Sequence, residues 1–211
     1  MRVRLCFSKS GALRFIGHLD LQRVFQRVIR RAGIPMAYSH GFNPHMLLSF
    51  ALPLPLGMAS ENDYADLTLE AEISCTMAVD SINGSAPEGL FVKKAYPVAG
   101  KAAAEVVVAD YAVKLSDDLS EEVIAEVLSR DSIVIPKKTK KGIKDTDIRA
   151  DIFSLECSEE TLFMRLAAGS SGFLHPVVVA ELLLGEAPCP SHITRLELYR
   201  TSNEERRFVP L

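Results

Sequence analysis

Hydrophobic and polar positions alternate from the first residues onward. Over 2–8, Val3, Leu5 and Phe7 fall on one side and Arg2, Arg4 and Cys6 on the other, the period-two pattern of a half-buried strand. After a turn at Ser8-Lys9-Ser10-Gly11 the period changes. Leu21, Val24, Phe25, Val28, Ile29 and Ala32 recur at helical spacing, which predicts an amphipathic helix over 18–32, stopped by Gly33 and Pro35. A strand is predicted over 45–52, ended by Pro53 and Pro55. Alternation returns over 64–70, with Ala65, Leu67 and Leu69 inward and Tyr64, Asp66, Thr68 and Glu70 outward. A short helix over 74–83 and a strand over 89–97 complete the set. This β-α-β-β-α-β order is that of a ferredoxin-like unit.

The same order recurs in the second half. Strands are predicted over 106–115, 133–136, 147–156, 161–168 and 193–199, and helices over 120–130 and 176–184. The fold class is therefore α+β: two ferredoxin-like βαββαβ halves, 1–100 and 104–211, with a shared or adjoining antiparallel sheet. The boundary falls in the Ala/Gly-rich link near Ala99-Gly100-Lys101-Ala102. The halves repeat in pattern, not in residue identity.

Nearly half of the 211 residues are apolar, enough for a core, and no apolar run reaches the roughly 20 residues that span a bilayer. The first residues read as a strand, not a signal peptide, so a cytoplasmic protein without membrane contact is expected. Cys6, Cys75, Cys157 and Cys189 are scattered and form no CxxC motif, which excludes a locally held iron–sulfur cluster in this chain. The net charge of −3 is unevenly spread. Residues 1–60 carry eight Arg/Lys against the single acid Asp20, a net +7, which leaves −10 on the other 151 residues. A basic end on an acidic body points to an anionic partner.

Candidate chemistry concentrates in that basic end. Arg23, Arg27, Arg30 and Arg31 share the polar face of the first helix, with no carboxylate expected beside them. With Lys9 and Arg14 they form a candidate RNA phosphate-binding surface, the alternative being a solvated helix face. The bend Tyr38-Ser39-His40-Gly41-Phe42-Asn43-Pro44-His45 offers rings for stacking in Tyr38 and Phe42. Its His40, Asn43 and His45 can bond base edges; equally, its aromatics can pack on the core. His18, Asp20, His45 and Asp66 are candidate acid–base groups, and His18 and Asp20 also suit a helix cap. No spacing among them is that of a known zinc site, so no metal is assigned. Asp63 and Asp66 with Glu61 read as acids that blunt a sheet edge. Gly169-Ser170-Ser171-Gly172 precedes a helix and is a possible anion site, or simply a turn. The lysine-rich stretch 137–144 reads as a solvated hairpin or as an arm for nucleic acid.

The stretch from Phe7-Ser8-Lys9-Ser10-Gly11 through Leu13-Arg14-Phe15-Ile16-Gly17-His18-Leu19-Asp20 resembles the opening motif of the radical SAM-linked proteins. So do Arg30-Arg31-Ala32-Gly33-Ile34-Pro35, Tyr38 to His45, Leu54-Pro55-Leu56-Gly57, Ser60, Tyr64 and Asp66. The likeness is specific over 5–66 and looser beyond. Met46 stands where that bacterial family has a second proline. Members stand alone or are fused to the C-terminus of a cobalamin-type radical SAM protein. The resemblance implies a radical SAM partner that carries the iron–sulfur cluster and S-adenosylmethionine, with no cofactor in this chain. It also implies an RNA substrate, tRNA or rRNA, or another translation component. The chain has no Asp-x-His-x-x-Gly cobalamin motif. The expectation is thus a non-catalytic, RNA-binding accessory subunit. The alternatives are an RNA- or nucleotide-modifying enzyme with a His/Asp site, or a protein–protein adaptor.

Overall fold

A computed structural model describes residues 1–116, 119–139, 142–170, 172–202 and 207–211. The first half contains β1 (Arg2–Lys9), α1 (His18–Arg31), β2 (Leu48–Phe50), β3 (Ala59–Thr68), α2 (Cys75–Ser85) and β4 (Leu90–Pro97). A four-residue helix, α3 (Ala102–Glu105), leads into the second. There follow β5 (Val108–Lys114), α4 (Glu121–Ser129), β6 (Val134–Thr139), β7 (Gly142–Asp147), β8 (Ile152–Ser158), β9 (Thr161–Ala167), α5 (Pro176–Leu184), β10 (Ile193–Thr201) and β11 (Phe208–Pro210). No helix among the described residues is long and apolar enough to cross a membrane.

The α+β class holds, and each half has the ferredoxin-like strand order. In the first, β4-β1-β3-β2 are neighbours, every pair antiparallel. In the second, β10-β5-β9-β8 repeat that arrangement. The halves join where β10 runs parallel to β3, Thr194 opposite Ala59 and Arg195 opposite Ser60. The seam is therefore parallel within an otherwise antiparallel sheet. It also explains why the strand expected over 45–52 stops at Phe50; before Leu48 the chain bridges Met46 to Tyr38 instead. β2 and β10 share one edge of β3, β2 opposite Ala65 to Leu67 and β10 opposite Ala59 and Ser60. A longer β2 would take the edge that β10 occupies.

This arrangement gives the sheet two distinct ends. β1, β2, β5 and β8 all begin at one, here called basal, and β3, β4, β9 and β10 all begin at the other, the apical end. α1 follows β1 and so descends from the apical to the basal end. It packs Leu21, Phe25, Val28 and Ile29 onto Val3, Leu5, Phe7, Ala65 and Leu67. Phe25 meets Phe7 and Phe50 edge-on at 4.8 and 5.1 Å. Each large buried side chain contributes about 1.5–3 kcal/mol. Gly33, at φ +67°, takes the left-handed step that ends the helix, while Ile34 N–H reaches back to Ile29 O at 3.2 Å.

The acids of β3 correct the sequence reading. Asp63 and Asp66 do not blunt an edge, because β3 is interior, and Asp66 does not face solvent. Arg4 Nε donates to Asp66 Oδ1 at 2.8 Å, and Asp66 Oδ2 accepts from Ala102 N at 2.6 Å. Arg4 also reaches Glu105 in α3. Asp63 Oδ1 accepts from Arg195 Nε at 2.9 Å, while Arg195 also donates to Leu52 O and Pro53 O. Tyr64 donates to Glu197 Oε1 at 2.6 Å, and burial holds the Glu197 carboxyl above its usual range. The two halves are thus tied by the buried pair of Arg195 with Asp63 and by the bond from Tyr64 to the half-buried Glu197.

The second half also differs from expectation. The strand expected over 133–136 does not enter the main sheet. It belongs to a separate hairpin, β6 with β7, inserted between α4 and β8, and β8 begins at Ile152. The hairpin's flanks are fixed by two side chains. Asp147 Oδ1 accepts from Ile133 N and Arg149 N, both at 2.9 Å, and these backbone donors hold its carboxyl below the usual range. Arg149 donates to Leu128 O and Arg130 O, carbonyls that the end of α4 leaves open.

Three outcomes are expected. Asp63→Ala leaves Arg195 buried without its counter-charge and lowers unfolding free energy by about 3–5 kcal/mol. Asp20→Ala, which removes only an exposed pair with Arg23, costs about 0–1 kcal/mol in the same urea titration. For Asp147, whose folded pKa is depressed, the stabilisation is present at neutral pH and lost as pH falls below the ordinary carboxylate value toward the folded one. Asp147→Asn should therefore abolish the acid-induced rise in amide exchange of the hairpin flanks.

Candidate nucleic-acid interface

Six cationic residues are expected to converge, and the structure divides them. Arg23, Arg27, Arg30 and Arg31 are all exposed on the outer face of α1. Arg23 has a carboxylate neighbour after all, Asp20 one turn earlier, with Nη1 to Oδ1 at 2.8 Å. Arg27, Arg30 and Arg31 pair with no carboxylate among the described residues. Lys9 lies elsewhere, at the apical end of β1, and is 1% exposed with Nζ donating to Ile16 O at 3.3 Å. A buried ammonium cannot track a phosphate chain, so Lys9 leaves the predicted surface. Arg14, in the 3₁₀ turn Gly11–Phe15, is also apical and half-buried.

The motif bend lies at the basal end. Its base is closed by a bridge between Tyr38 and Met46, and by Ser39 N–H to His45 O at 2.9 Å. Neighbouring bonds from Ala37 N to Thr68 O and from Thr68 N to Leu47 O pin it to the end of β3. Tyr38, His40, Phe42, Asn43 and His45 are all exposed; the Phe42 ring is entirely so. The aromatics at the tip therefore do not serve the core. Ser39 Oγ accepts from His45 N at 3.1 Å and lies 2.8 Å from His45 Nδ1. That contact engages Nδ1 and leaves Nε2 as the ring nitrogen without a partner among the described residues.

Below the bend is a cleft of about 180 Å³ lined by Arg2, His45, Met46, Leu47, Leu48, Ser49, Thr68 and Lys101. Arg2 is held in place by Nη1 to Ala99 O at 2.8 Å. Every polar side chain of this lining is a donor, and none is a carboxylate, so the cleft is chemically suited to an anion. It lies on the face of the sheet away from α1, because Met46, Leu48 and Phe50 turn toward the helix layer and His45, Leu47 and Ser49 away from it. The arginine face and the cleft therefore flank the same basal end from opposite sides. Sequence reasoning missed Lys101. It sits 56 residues after His45, beyond the reach of any local pattern.

The remaining candidates do not assemble. His18 abuts Phe50 edge-on at 5.3 Å, and α1 is capped by Gly17 without a side-chain bond, so neither His18 nor Asp20 caps it. Asp66 is buried on Arg4, and His45 is at the basal end. Among the described residues no group of three His, Cys, Asp or Glu side chains is placed to hold a metal. In the Gly169–Gly172 segment, Ser171 lies outside the described residues. Gly169, at φ +96°, is needed because a Cβ there would lie 2.1 Å from Val106 O. The following helix is already capped: His175 Nδ1 accepts from Val177 N at 3.3 Å, and burial lowers the His175 pKa and keeps the ring an acceptor. The start of that helix is thus already occupied by the chain's own His175.

The hairpin insert emerges at the basal end too, since it precedes β8 as the motif bend precedes β2. Lys137 and Lys144 face each other in its register, and Lys137 Nζ reaches Phe173 O at 3.3 Å. Like charges directly opposite weaken a strand pair, so this register does not serve stability. Lys140 and Lys141 lie outside the described residues.

No curated protein matches the chain. Residues 2–176, which take in the basic helix, the motif bend, the cleft and the hairpin, match a family described as "Uncharacterized protein conserved in bacteria (DUF2344)". That match spans most of the 211 residues, and the chain belongs to this family.

Proposed function

We propose that this protein binds RNA along the outer face of α1 and over the basal end of its sheet, and serves as an accessory subunit that presents the RNA to a radical SAM enzyme. The observation that carries the RNA reading is the row Arg27, Arg30 and Arg31, exposed and without a carboxylate among the described residues. Guanidinium groups held on a rigid helix suit phosphate oxygens. The helix leads them to the end where the exposed Phe42 ring is free to stack on an unpaired base and the Arg2–His45–Lys101 cleft offers donors. Lys137 and Lys144 add positive charge at that same end.

The radical SAM partner is supported by the motif resemblance over 5–66. That enzyme would bring the iron–sulfur cluster and S-adenosylmethionine. Exposed apolar side chains at the opposite, apical end support a protein partner there. There Phe15, Leu19 and Leu56 are exposed, and Gly57 N–H to Arg14 O at 2.8 Å holds the Leu56 turn against the 3₁₀ turn that ends in Phe15. An enzyme docked at the apical end would leave the basal surface free for RNA. A modifying enzyme built on His18, Asp20, His45 and Asp66 gains no support, because these groups are not brought together.

The test is filter binding to bulk tRNA and rRNA across a salt series. Four phosphate contacts predict a log–log slope of about −3 for single strands. Arg27→Glu with Arg30→Glu should flatten the slope by about 1.5 and weaken binding at least tenfold at low salt. Weak binding that does not respond to salt, or an unchanged slope in the double variant, would sink the reading. A pull-down from the native cell reads the protein partner separately. Recovery of a radical SAM protein by the Arg27/Arg30 variant is expected.

A further inference from the structure

A row of polar side chains crosses four neighbouring strands at the apical end. Lys9 of β1 is opposite Ser60 of β3, Ser60 is opposite Arg195 of β10, and Arg195 is opposite Tyr111 of β5. All four are buried. Arg195 spends four of its five N–H groups on Asp63, Leu52 O and Pro53 O. Its neighbours are less well matched. Lys9 Nζ carries three N–H donors and has one acceptor, Ile16 O. Ser60 Oγ, Tyr111 Oη and Arg14 Nε are buried with no hydrogen-bond partner, and among the described residues they are the buried side-chain polar atoms so left. Tyr111 lies beside the Arg195 guanidinium without a bond of normal geometry. The Lys9 ammonium feels the charges of Arg14 and Arg195, and one carboxylate, Asp63.

Three cations therefore share one carboxylate, and three buried polar atoms are left without a bond. Orphaned buried polar groups are rare in folded proteins, and here they gather in one place. A buried positive excess is costly unless something negative compensates it. Burial pushes the Lys9 pKa down, in keeping with an ammonium short of partners. The Arg14 end of the row lies nearest to solvent: its turn is half-buried and flanked by exposed Phe15 and Leu56.

We propose that this row is an oxyanion-binding site, in which Lys9, Ser60 and Arg14 hold a phosphate-sized anion beside the Arg195–Asp63 pair. Tyr111 donates to the same ligand from the β5 side. The site is distinct from the basal cleft and does not rest on the RNA reading. The anion can be free phosphate or the terminal phosphate of a nucleotide, and two ligand arms tell them apart.

Thermal unfolding of the full chain is followed against inorganic phosphate, and separately against adenosine 5′-monophosphate, at constant ionic strength set with chloride. The wild type should show a saturable Tm rise of about 5 °C in phosphate. An equal rise at a lower concentration of the nucleotide would assign the nucleotide as source; a rise in phosphate alone assigns the free oxyanion. Lys9→Met should abolish the response, and Arg27→Glu should retain it in full, which separates this site from the arginine face. If Lys9→Met does not fold, Ser60→Ala reads the same question. It keeps the strand and should raise the phosphate concentration at half-effect about tenfold. No saturable rise in either ligand, or an unchanged response in Ser60→Ala and Lys9→Met, would mean that water fills the row, and would overturn the proposal.

Discussion

One edge of β3 governs the molecule. β2 takes its basal part and β10 its apical part, so a single strand closes the first ferredoxin-like unit and opens the way to the second. The backbone pairing at that seam is only two residues deep. Side chains supply the rest, through Arg195 on Asp63, Tyr64 on Glu197 and Asn62 on Leu196 O. Buried ion pairs contribute little net energy compared with apolar packing, but they tolerate only one geometry, because each misplacement strands a charge. They set the register between the halves.

The parallel seam has a consequence for surface chemistry. Because β10 runs with β3, the second half repeats the first side by side and in the same orientation. Each half carries an insert between its first helix and second strand, and both inserts therefore leave the sheet at the basal end. The motif bend with Phe42 and the lysine hairpin are brought to one rim by topology, although nearly a hundred residues separate them. An antiparallel seam would have placed them at opposite ends.

The same logic divides the basic N-terminal segment. Its residues are contiguous in sequence, but β1 and α1 run in opposite directions along the sheet. Lys9 and Arg14 fall at the apical turn between them, and Arg30 and Arg31 at the far end of the helix. The basal residues are exposed, and the apical ones are partly or wholly buried. Charge counted along a chain does not distinguish a solvated guanidinium from a buried ammonium. The distinction depends on which side of a strand, and which end of it, a neighbouring element covers.

What the sequence determined by itself was local. The alternation in β1 and β3, the apolar stripe of α1, the Gly33 stop and the order of elements in the first half all follow from steric and hydrophobic rules that act over a few residues. Tyr38, Phe42 and His45 were also readable, as a shaped turn with rings that could stack. A signal existed for Asp63, which keeps phase with inward Ala65 and Leu67, and for Arg195, which keeps phase with buried Ile193. The tertiary structure alone decided that these two charges meet across 132 residues. It alone also decided that Asp66 closes on Arg4 and that Lys101 joins Arg2 beneath His45. The reason is physical: a charge is acceptable in the interior only where a partner from a distant strand meets it, and that meeting is fixed by strand order and register, which short-range patterns do not encode.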